Sequence, residues 1–492
     1  MAKEMENILY DVVIIGAGPG GIYAAYELTS QNPGLKIAVL EKGNPLEKRR
    51  CPIDGDKIPA CIHCSSCSIM NGFGGAGAFS DGKYNITNEF GGTLYQYVGE
   101  KQAIDLMEYV DEINCRMGGD QTRLYASEDP AIARKCLQNG LHLLNAKVRH
   151  LGTDINYVVL ENLYAHLKGK VDFFFNMAAR TVQKQEAEAA GIAHMSELPV
   201  FVIETENRQH EPGVVFGRKC IISTGRSGSH WMESVCSALN IPTSSSRIDI
   251  GVRVEVPFET FSEMTDSLYE SKIVYRSKKY QDRIRTFCMN PHGVVVSENT
   301  NGIVTVNGHS YEDPARFTGN TNFALLVSNH FTEPFHESNQ YGESIARLSN
   351  MLGGGVIVQR FGDLIRGQRS TEDRIASGFV KPTLKATPGD LSLVIPKRQL
   401  DDIIEMIYAL DRVCPSTASD DTLLYGVEVK FYNMQTEVDE HLETSCKGLY
   451  VIGDCSGVTH SLSHASASGI YCARQILEAF DCQEISGQEA GQ

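Results

Sequence analysis

A chain of 492 residues exceeds what one compact core accommodates, so two domains or one large composite fold is expected. Its formal net charge of −16 argues against a nucleic-acid backbone or an anionic membrane surface as partner, and its apolar runs fall far short of the roughly 20 residues a membrane span needs. The opening MAKEMENILYD lacks the apolar core of a secretory signal, so the 14 cysteines read as reduced thiols, metal ligands or redox groups of a cytoplasmic protein.

The first ordered signal is DVVIIGAGPGGIYAAYELTSQNPGLKIAVLEKG, from Asp11 to Gly43. Val12 to Ile15 is a continuous apolar run, as in a strand buried on both faces of a parallel sheet. Gly16, Gly18 and Gly21 follow in G-x-G-x-x-G spacing, with Pro19 and Gly20 between them. Gly16 permits the tight turn, Gly18 lets backbone approach a pyrophosphate, and Gly21 lets helix pack on strand. The helix then offers unpaired N–H groups and a positive dipole end to the phosphates. The second strand, KIAVLE, ends in Glu41, placed to accept hydrogen bonds from ribose hydroxyls, and Lys42 follows it. Strand, turn, helix and acid together predict a dinucleotide site.

Next come Cys51, Cys61, Cys64 and Cys67, four thiols of which three are spaced C-x-x-C-x-x-C. Four thiolates suit a [4Fe–4S] cluster, although the usual fourth-ligand spacing of ferredoxins is absent. Zinc also accepts four thiolates. Redox thiols without metal, or four unrelated structural cysteines, complete the readings. The cluster is preferred because this stretch runs directly into a glycine-rich loop, GFGGAGAFSDGK. There Gly74, Gly75 and Ala76 let backbone lie against a flat ring, Ser80 and Asp81 are cofactor-binding candidates, and Lys83 is a candidate for neutralising charge during reaction.

Amphipathic, helix-like stretches follow in VGEKQAIDLMEYVDEINCRMG and VVLENLYAHLKGK. KVDFFFNMAARTVQKQ, PVFVIETE and EPGVVFGRKCIIS read as strands, the last running into Thr224-Gly225. IDIGVRVEVP alternates like a half-buried strand and opens a second domain. That domain continues through the hairpin-like GVVVSENTNGIVTVNGHSY, helices near Ser344–Met351 and Leu400–Leu410, and the strand YGVEVKFY. His292, His309 and the arginines Arg360, Arg366 and Arg369 are its polar candidates, each with an ordinary structural explanation. A closing strand, GLYVIGD, ends in Gly453-Asp454 and meets a helix lined by Ala465, Ala467, Gly469 and Ala473. His460 and His464 stand at the start of that helix, where a histidine can hold or move a proton beside a cofactor. The tail after Gln483 is polar.

The GLYVIGD and IISTG strands resemble those of glutathione-reductase-type flavoproteins, which makes FAD rather than NAD the expected dinucleotide. Over nearly its whole length, up to about Phe480, the chain resembles the bacterial and archaeal FAD-dependent dehydrogenases. The resemblance is carried by the Gly16–Gly21 fingerprint, GFGGAGAFSDGK, GTD, GVRVE, RTFCMNPHGVVV, VNGHSY and GLYVIGDCSGV. This chain departs from the pattern at Asn290-Pro291-His292-Gly293 and at His460-Ser461, regions expected to touch substrate. The resemblance implies an α/β fold: a Rossmann-like FAD-binding domain with an inserted α+β substrate domain. The expected division is 1–250 and 430–492 for the FAD domain and 251–429 for the insertion. The expected function is hydride transfer between flavin and a C–C or C–N bond of a small organic substrate. Electrons would be relayed by the cluster and a ferredoxin-like carrier protein, since no second fingerprint offers an NAD(P)H domain. The alternative is a non-redox flavoprotein with structural FAD and a structural zinc used for partner binding.

Overall fold

The computed structural model describes residues 8–52, 62, 64, 66–126, 129–244, 247–268, 271–300, 302–311, 314–332, 337–432 and 434–489. The chain forms two compact units: unit 1 is Met1–Tyr125, Lys147–Ser244 and Asn433–Gln492, and unit 2 is Ala126–Ala146 and Ser245–Tyr432. Residues 126–146 therefore belong with unit 2, whereas the sequence reading carried the first domain unbroken to residue 250. The cause is a long-range pairing: the short strand Leu141–Leu143 joins the edge of the unit 2 sheet. Among the described residues, no helix is long and apolar enough to cross a membrane.

Unit 1 begins with β1 (Leu9–Ile15), α1 (Pro19–Gln31) and β2 (Ile37–Glu41). β3 (Lys83–Ile86), α2 (Glu100–Arg116), β4 (Lys147–His150) and α3 (Gly152–Leu167) follow. β5 (Asp172–Phe175), β6 (Met177–Gln185), β7 (Val200–Asn207), β8 (Pro212–Ile222) and α4 (Ser229–Ala238) complete this run. β5, β2, β1 and β8 lie side by side in parallel, with β7 and β6 added antiparallel beyond β8. Val12, Val13 and Ile14 are fully buried because both sheet faces are covered. Val12, Ile14 and Val39 pack with α1; Val13, Leu40 and Ile222 pack with Met232 and Val235 of α4.

Unit 2 is built on β9 (Arg247–Pro257), β10 (Ile273–Arg276), β11 (Arg283–Asn290), the hairpin β12 (Val294–Thr300) and β13 (Ile303–His309), and β14 (Asn320–His330). α5 (Ser338–Gly353), β15 (Ile357–Arg360), α6 (Lys397–Asp411) and β16 (Leu423–Phe431) follow. Its eight-stranded sheet runs Thr387–Pro388, β15, β16, β9, β14, β11, β10, Leu141–Leu143. Alternation along β9 sends Ile248, Ile250, Val252 and Val254 to one face. There they join Phe323, Leu325 and Val327 under Ile403, Met406 and Ile407 of α6. Asp249, Arg253 and Glu255 point to the other face, yet all three are buried.

The chain then returns to unit 1. β17 (Leu449–Val451) pairs parallel with the end of β8, and α7 (Leu462–Glu489) packs along α1. A Cβ on Gly469 would stand 2.2 Å from the Gly20 carbonyl oxygen, so the close approach of these helices needs glycine there.

Candidate functional site

A cavity of about 610 Å³ opens along the carboxyl ends of β1, β2, β8 and β17. This is where an open α/β sheet places its ligands. Three glycine-bearing turns line it: Gly16, Gly18, Pro19 and Gly20; Thr224 and Gly225; Gly453 and Asp454. Gly16 turns at φ +108°, and a Cβ there would lie 2.4 Å from the Ser223 carbonyl oxygen. Gly21 sits outside the lining; its missing side chain leaves room for the Gly16 carbonyl, 2.1 Å from an ideal Cβ. At Gly225 a side chain would meet nothing within 4 Å. The wall is thus shaped by backbone, with the amino end of α1 facing in.

Glu41 lines the same cavity and is 7% exposed. Its carboxylate accepts three backbone N–H groups, from Ala17 at 2.9 Å, Gly43 at 2.8 Å and Gly72 at 2.9 Å. It therefore ties the phosphate turn, the end of β2 and the start of the glycine loop into one corner. Beside it, burial lowers the pKa of Lys42, with Glu41 opposing. Arg49 reinforces the corner. Its guanidinium donates to the carbonyls of Ser68 at 3.0 Å, Phe73 at 2.6 Å and Ile69 at 2.7 Å, and it stacks over the Phe79 ring. Burial brings its pKa down to about 10, against the pull of Glu41 and Cys67.

The glycine loop contributes Gly75, Ala76, Gly77, Ser80, Asp81 and Lys83 to the lining. Gly74 lies behind it, at φ +88°, where a Cβ would meet the Leu160 side chain at 2.8 Å. The Lys83 ammonium pairs with Asp81 at 2.9 Å. His460 and Ser461 line the cavity from the start of α7; His464, one turn on, does not. His464 is fully buried against the Gly91–Gly92 loop, with Nδ1 2.9 Å from the Ser461 hydroxyl and no hydrogen-bond partner for Nε2 among the described residues. Burial holds its pKa down to about 4, so it is a neutral imidazole that can position Ser461 but does not itself reach the cavity.

Several lining residues carried no local signal: Met70, Asn71, Met177–Arg180, Ser227 and Trp231. Sheet order brings β6 and α4 to the end of β2, and only the return of the chain from Phe175 could have hinted at it. Trp231 is held there by its indole N–H donating to the Arg180 carbonyl at 2.9 Å.

Of the four cysteines, Cys51 and Cys64 are exposed, Cys67 is half-buried, and Cys61 lies outside the described residues. Among the described residues no three His, Cys, Asp or Glu side chains gather into a metal-ligand set. In unit 2, His292 is sandwiched between Phe258 and Phe317, with Nδ1 2.9 Å from the Thr318 carbonyl oxygen. Arg360 pairs with Asp421 and Arg366 with Asp420, so this basic cluster is neutralised by acids rather than presented as a clamp.

Residues 247–431 match the family described as FAD-dependent protein, C-terminal domain-like, and residues 1–45 match the Thi4 family. A protein of Clostridium beijerinckii described as uncharacterised is 26% identical over 501 residues, covering 97% of this chain and 82% of that protein. The thiamine thiazole synthase of Coprinopsis cinerea is 46% identical over 48 residues, 9% of this chain and 15% of that enzyme. Among solved structures, the glycine oxidase of Geobacillus kaustophilus aligns over 95% of both chains at 11% identity and TM-score 0.38. An E. coli quinol fumarate reductase aligns over 98% of this chain and 73% of that one, at 14% identity and TM-score 0.39.

Proposed function

We infer that this chain is an FAD-dependent oxidoreductase whose unit 1 holds the dinucleotide. The observation that carries this reading is the single cavity lined by all three glycine-bearing turns together with Glu41. The donor set fits FAD. The amino end of α1 and the bare backbone of Gly18 suit a pyrophosphate, Glu41 keeps acceptor capacity for ribose hydroxyls, and Gly453-Asp454 suits the ribityl chain. Bound FAD would supply hydride or single-electron chemistry. The chain's own contribution is positional. Backbone at Gly75–Gly77 admits a flat ring, Lys83 and its partner Asp81 place an ion pair at the wall, and the His460 imidazole holds or passes a proton there.

The finer assignment is a dehydrogenation or reduction at a C–C or C–N bond of a small organic substrate. The cysteine spacing supports a [4Fe–4S] cluster as the electron route, with zinc as the competing occupant, and a ferredoxin-like protein as its cytoplasmic partner. Only the spacing supports the cluster. Nucleotide release and chromatography should recover one FAD per chain; recovery of NAD, or of no nucleotide, rejects the reading. Photoreduction followed by reoxidation with organic acceptors tests the redox role, and reoxidation by oxygen alone rejects it. Iron and sulfide analysis of anaerobically prepared protein and of Cys64→Ser tests the cluster: about four irons, lost in the variant, are expected.

A further inference from the structure

Ser461 lines the cavity but has no part in the FAD reading so far. It stands one residue before α7, where its hydroxyl oxygen accepts the backbone N–H of His464 at 3.3 Å. The same oxygen lies 2.9 Å from Nδ1 of the His464 ring. Two nitrogens of one residue thus meet one hydroxyl.

What surrounds the ring decides which atom of the pair carries the proton. His464 is 0% exposed and burial keeps it neutral, so one proton sits on either Nδ1 or Nε2. Nε2 has no hydrogen-bond partner among the described residues. A buried N–H without an acceptor costs more than a buried lone pair without a donor, and orphaned N–H groups are correspondingly rare. The proton therefore belongs on Nδ1, directed at Ser461. The Ser461 oxygen then accepts two N–H groups, one from the ring and one from the backbone, which occupies both of its lone pairs. Its own O–H is left as a donor, polarised by the two bonds the oxygen accepts. The pair is not an activated nucleophile, because burial opposes the uptake of a second proton by His464.

The Gly91–Gly92 loop limits where that donor can point. The His460 N–H donates to the Gly91 carbonyl at 2.8 Å and the Thr93 N–H to the Val458 carbonyl at 2.8 Å, so the loop is pinned on both sides. A Cβ on Gly91 would stand 2.7 Å from Ser461 Oγ and 2.9 Å from His464 Nδ1. Loop backbone therefore closes the far side of the pair, and the side left open is the cavity wall that Ser461 lines. The next residue, Leu462, touches the glycine loop: a Cβ on Gly77 would stand 2.7 Å from its Cδ2. Ser461 thus belongs to the end of the cavity whose bare backbone admits a flat ring.

We propose that the Ser461 hydroxyl is a fixed hydrogen-bond donor to a ring oxygen of bound FAD that gains negative charge on reduction, with His464 as its positioning residue. This rests on the FAD reading. A donor oriented before the charge appears needs no rearrangement when it does.

The test is redox titration of the holoprotein against a reference dye, which needs no substrate. Ser461→Ala should weaken the hold on reduced relative to oxidised flavin at least tenfold, lowering the midpoint potential by about 30 mV for a two-electron couple. Ser461→Thr keeps both the hydroxyl and the helix cap and should stay near wild type. His464→Leu should lower the potential in the same direction, and His464→Asn, whose amide N–H can stand in for Nδ1–H, should recover part of the loss. Ser463→Ala removes a buried hydroxyl from the same turn, outside the lining, and should change nothing. A potential unchanged in Ser461→Ala, or lowered equally by Ser461→Thr or Ser463→Ala, overturns the proposal. One unchanged in His464→Leu overturns the positioning role, and the Ser461 variants still decide the donor if that variant folds poorly. A chain recovered without FAD rejects the cofactor reading and the proposal with it; a yellow protein whose potential ignores Ser461 rejects the proposal alone.

Discussion

His464 in unit 1 and Glu428 in unit 2 are both ionisable and both deeply buried, but their surroundings are opposite. His464 meets one hydroxyl and otherwise packs among small residues, so it is kept neutral. Glu428 faces a buried guanidinium, Arg253, yet burial still raises its pKa to about 7. At the start of α7, unit 1 buries neutral polar side chains near its cavity. Around Ser461 these include Thr459, Ser463 and Ser466, whose hydroxyls have no partner among the described residues. Unit 2 instead builds a framework of ions: Arg253 with Glu428, and Arg285 and Arg247 with Asp249. Burial works against the Asp249 charge, but the two arginines overcome it and hold its pKa far below the usual carboxylate range. Around Ser461 the surroundings are neutral, whereas the charged face of unit 2 needs every partner in place.

The contrast breaks most visibly at Arg253. Arg253→Met should cost about 3–5 kcal/mol of unit 2 stability in denaturant unfolding, because Glu428 is left buried alone; adding Glu428→Leu should recover much of it. If the double variant is no better than the single, the ion pair is not what Arg253 contributes. In unit 1, Glu41→Ala removes the acceptor of three backbone N–H groups, and FAD should be retained at least 100-fold less tightly by ultrafiltration, about 3 kcal/mol.

The pH responses should run in opposite directions. The folded pKa of His464 is about 4 against an ordinary 6.5, so its contribution is fully present above pH 6.5 and is lost as pH falls toward 4. The folded pKa of Glu428 is about 7 against 4.5, so its contribution is fully present below pH 4.5 and is lost as pH rises through 7. Asp402, raised to about 7 by burial and by Asp282, acts in the same sense as Glu428. Relative to wild type, Glu428→Gln should gain stability from pH 5 to 7, and His464→Gln should gain as pH drops from 7 to 4. The full span is about 3 kcal/mol in each case. Melting curves across that range check both signs, and parallel slopes for the two variants would remove the contrast. The smallest effect is expected from Ser461→Ala. The Ser461 hydroxyl accepts the His464 N–H at 3.3 Å just before α7, and its loss should cost about 1 kcal/mol in thermal unfolding.

The parts legible in the sequence were those whose meaning is local. Gly16, Gly18 and Gly21 are read from one turn, β9 from its alternation, and the small-residue lining of α7 from Ala465, Gly469 and Ala473. The glycine loop was legible as a loop, but Gly74 and Gly75 take different roles because only the packing of α3 decides which one turns inward. His460 and His464 could not be told apart, since one helical turn separates a cavity wall from a core and the Gly91–Gly92 loop settles which is which. Trp231 and the membership of 126–146 in unit 2 both depend on strand pairings between distant segments. No window of sequence contains them.

Unit 1 is assembled from three stretches of chain, and the last carries β17 and the Gly453-Asp454 wall of the cavity. During translation, at about 5–20 residues per second, all of unit 2 leaves the ribosome before that wall exists. β1, α1 and Glu41 must then wait, with β8 paired to β1 but lacking β17, for tens of seconds. A chain truncated between Glu41 and Leu449 contains the whole glycine fingerprint and still lacks one side of the cavity. Full occupancy by the nucleotide is thus a mark of completed synthesis, and shortened products should emerge without it.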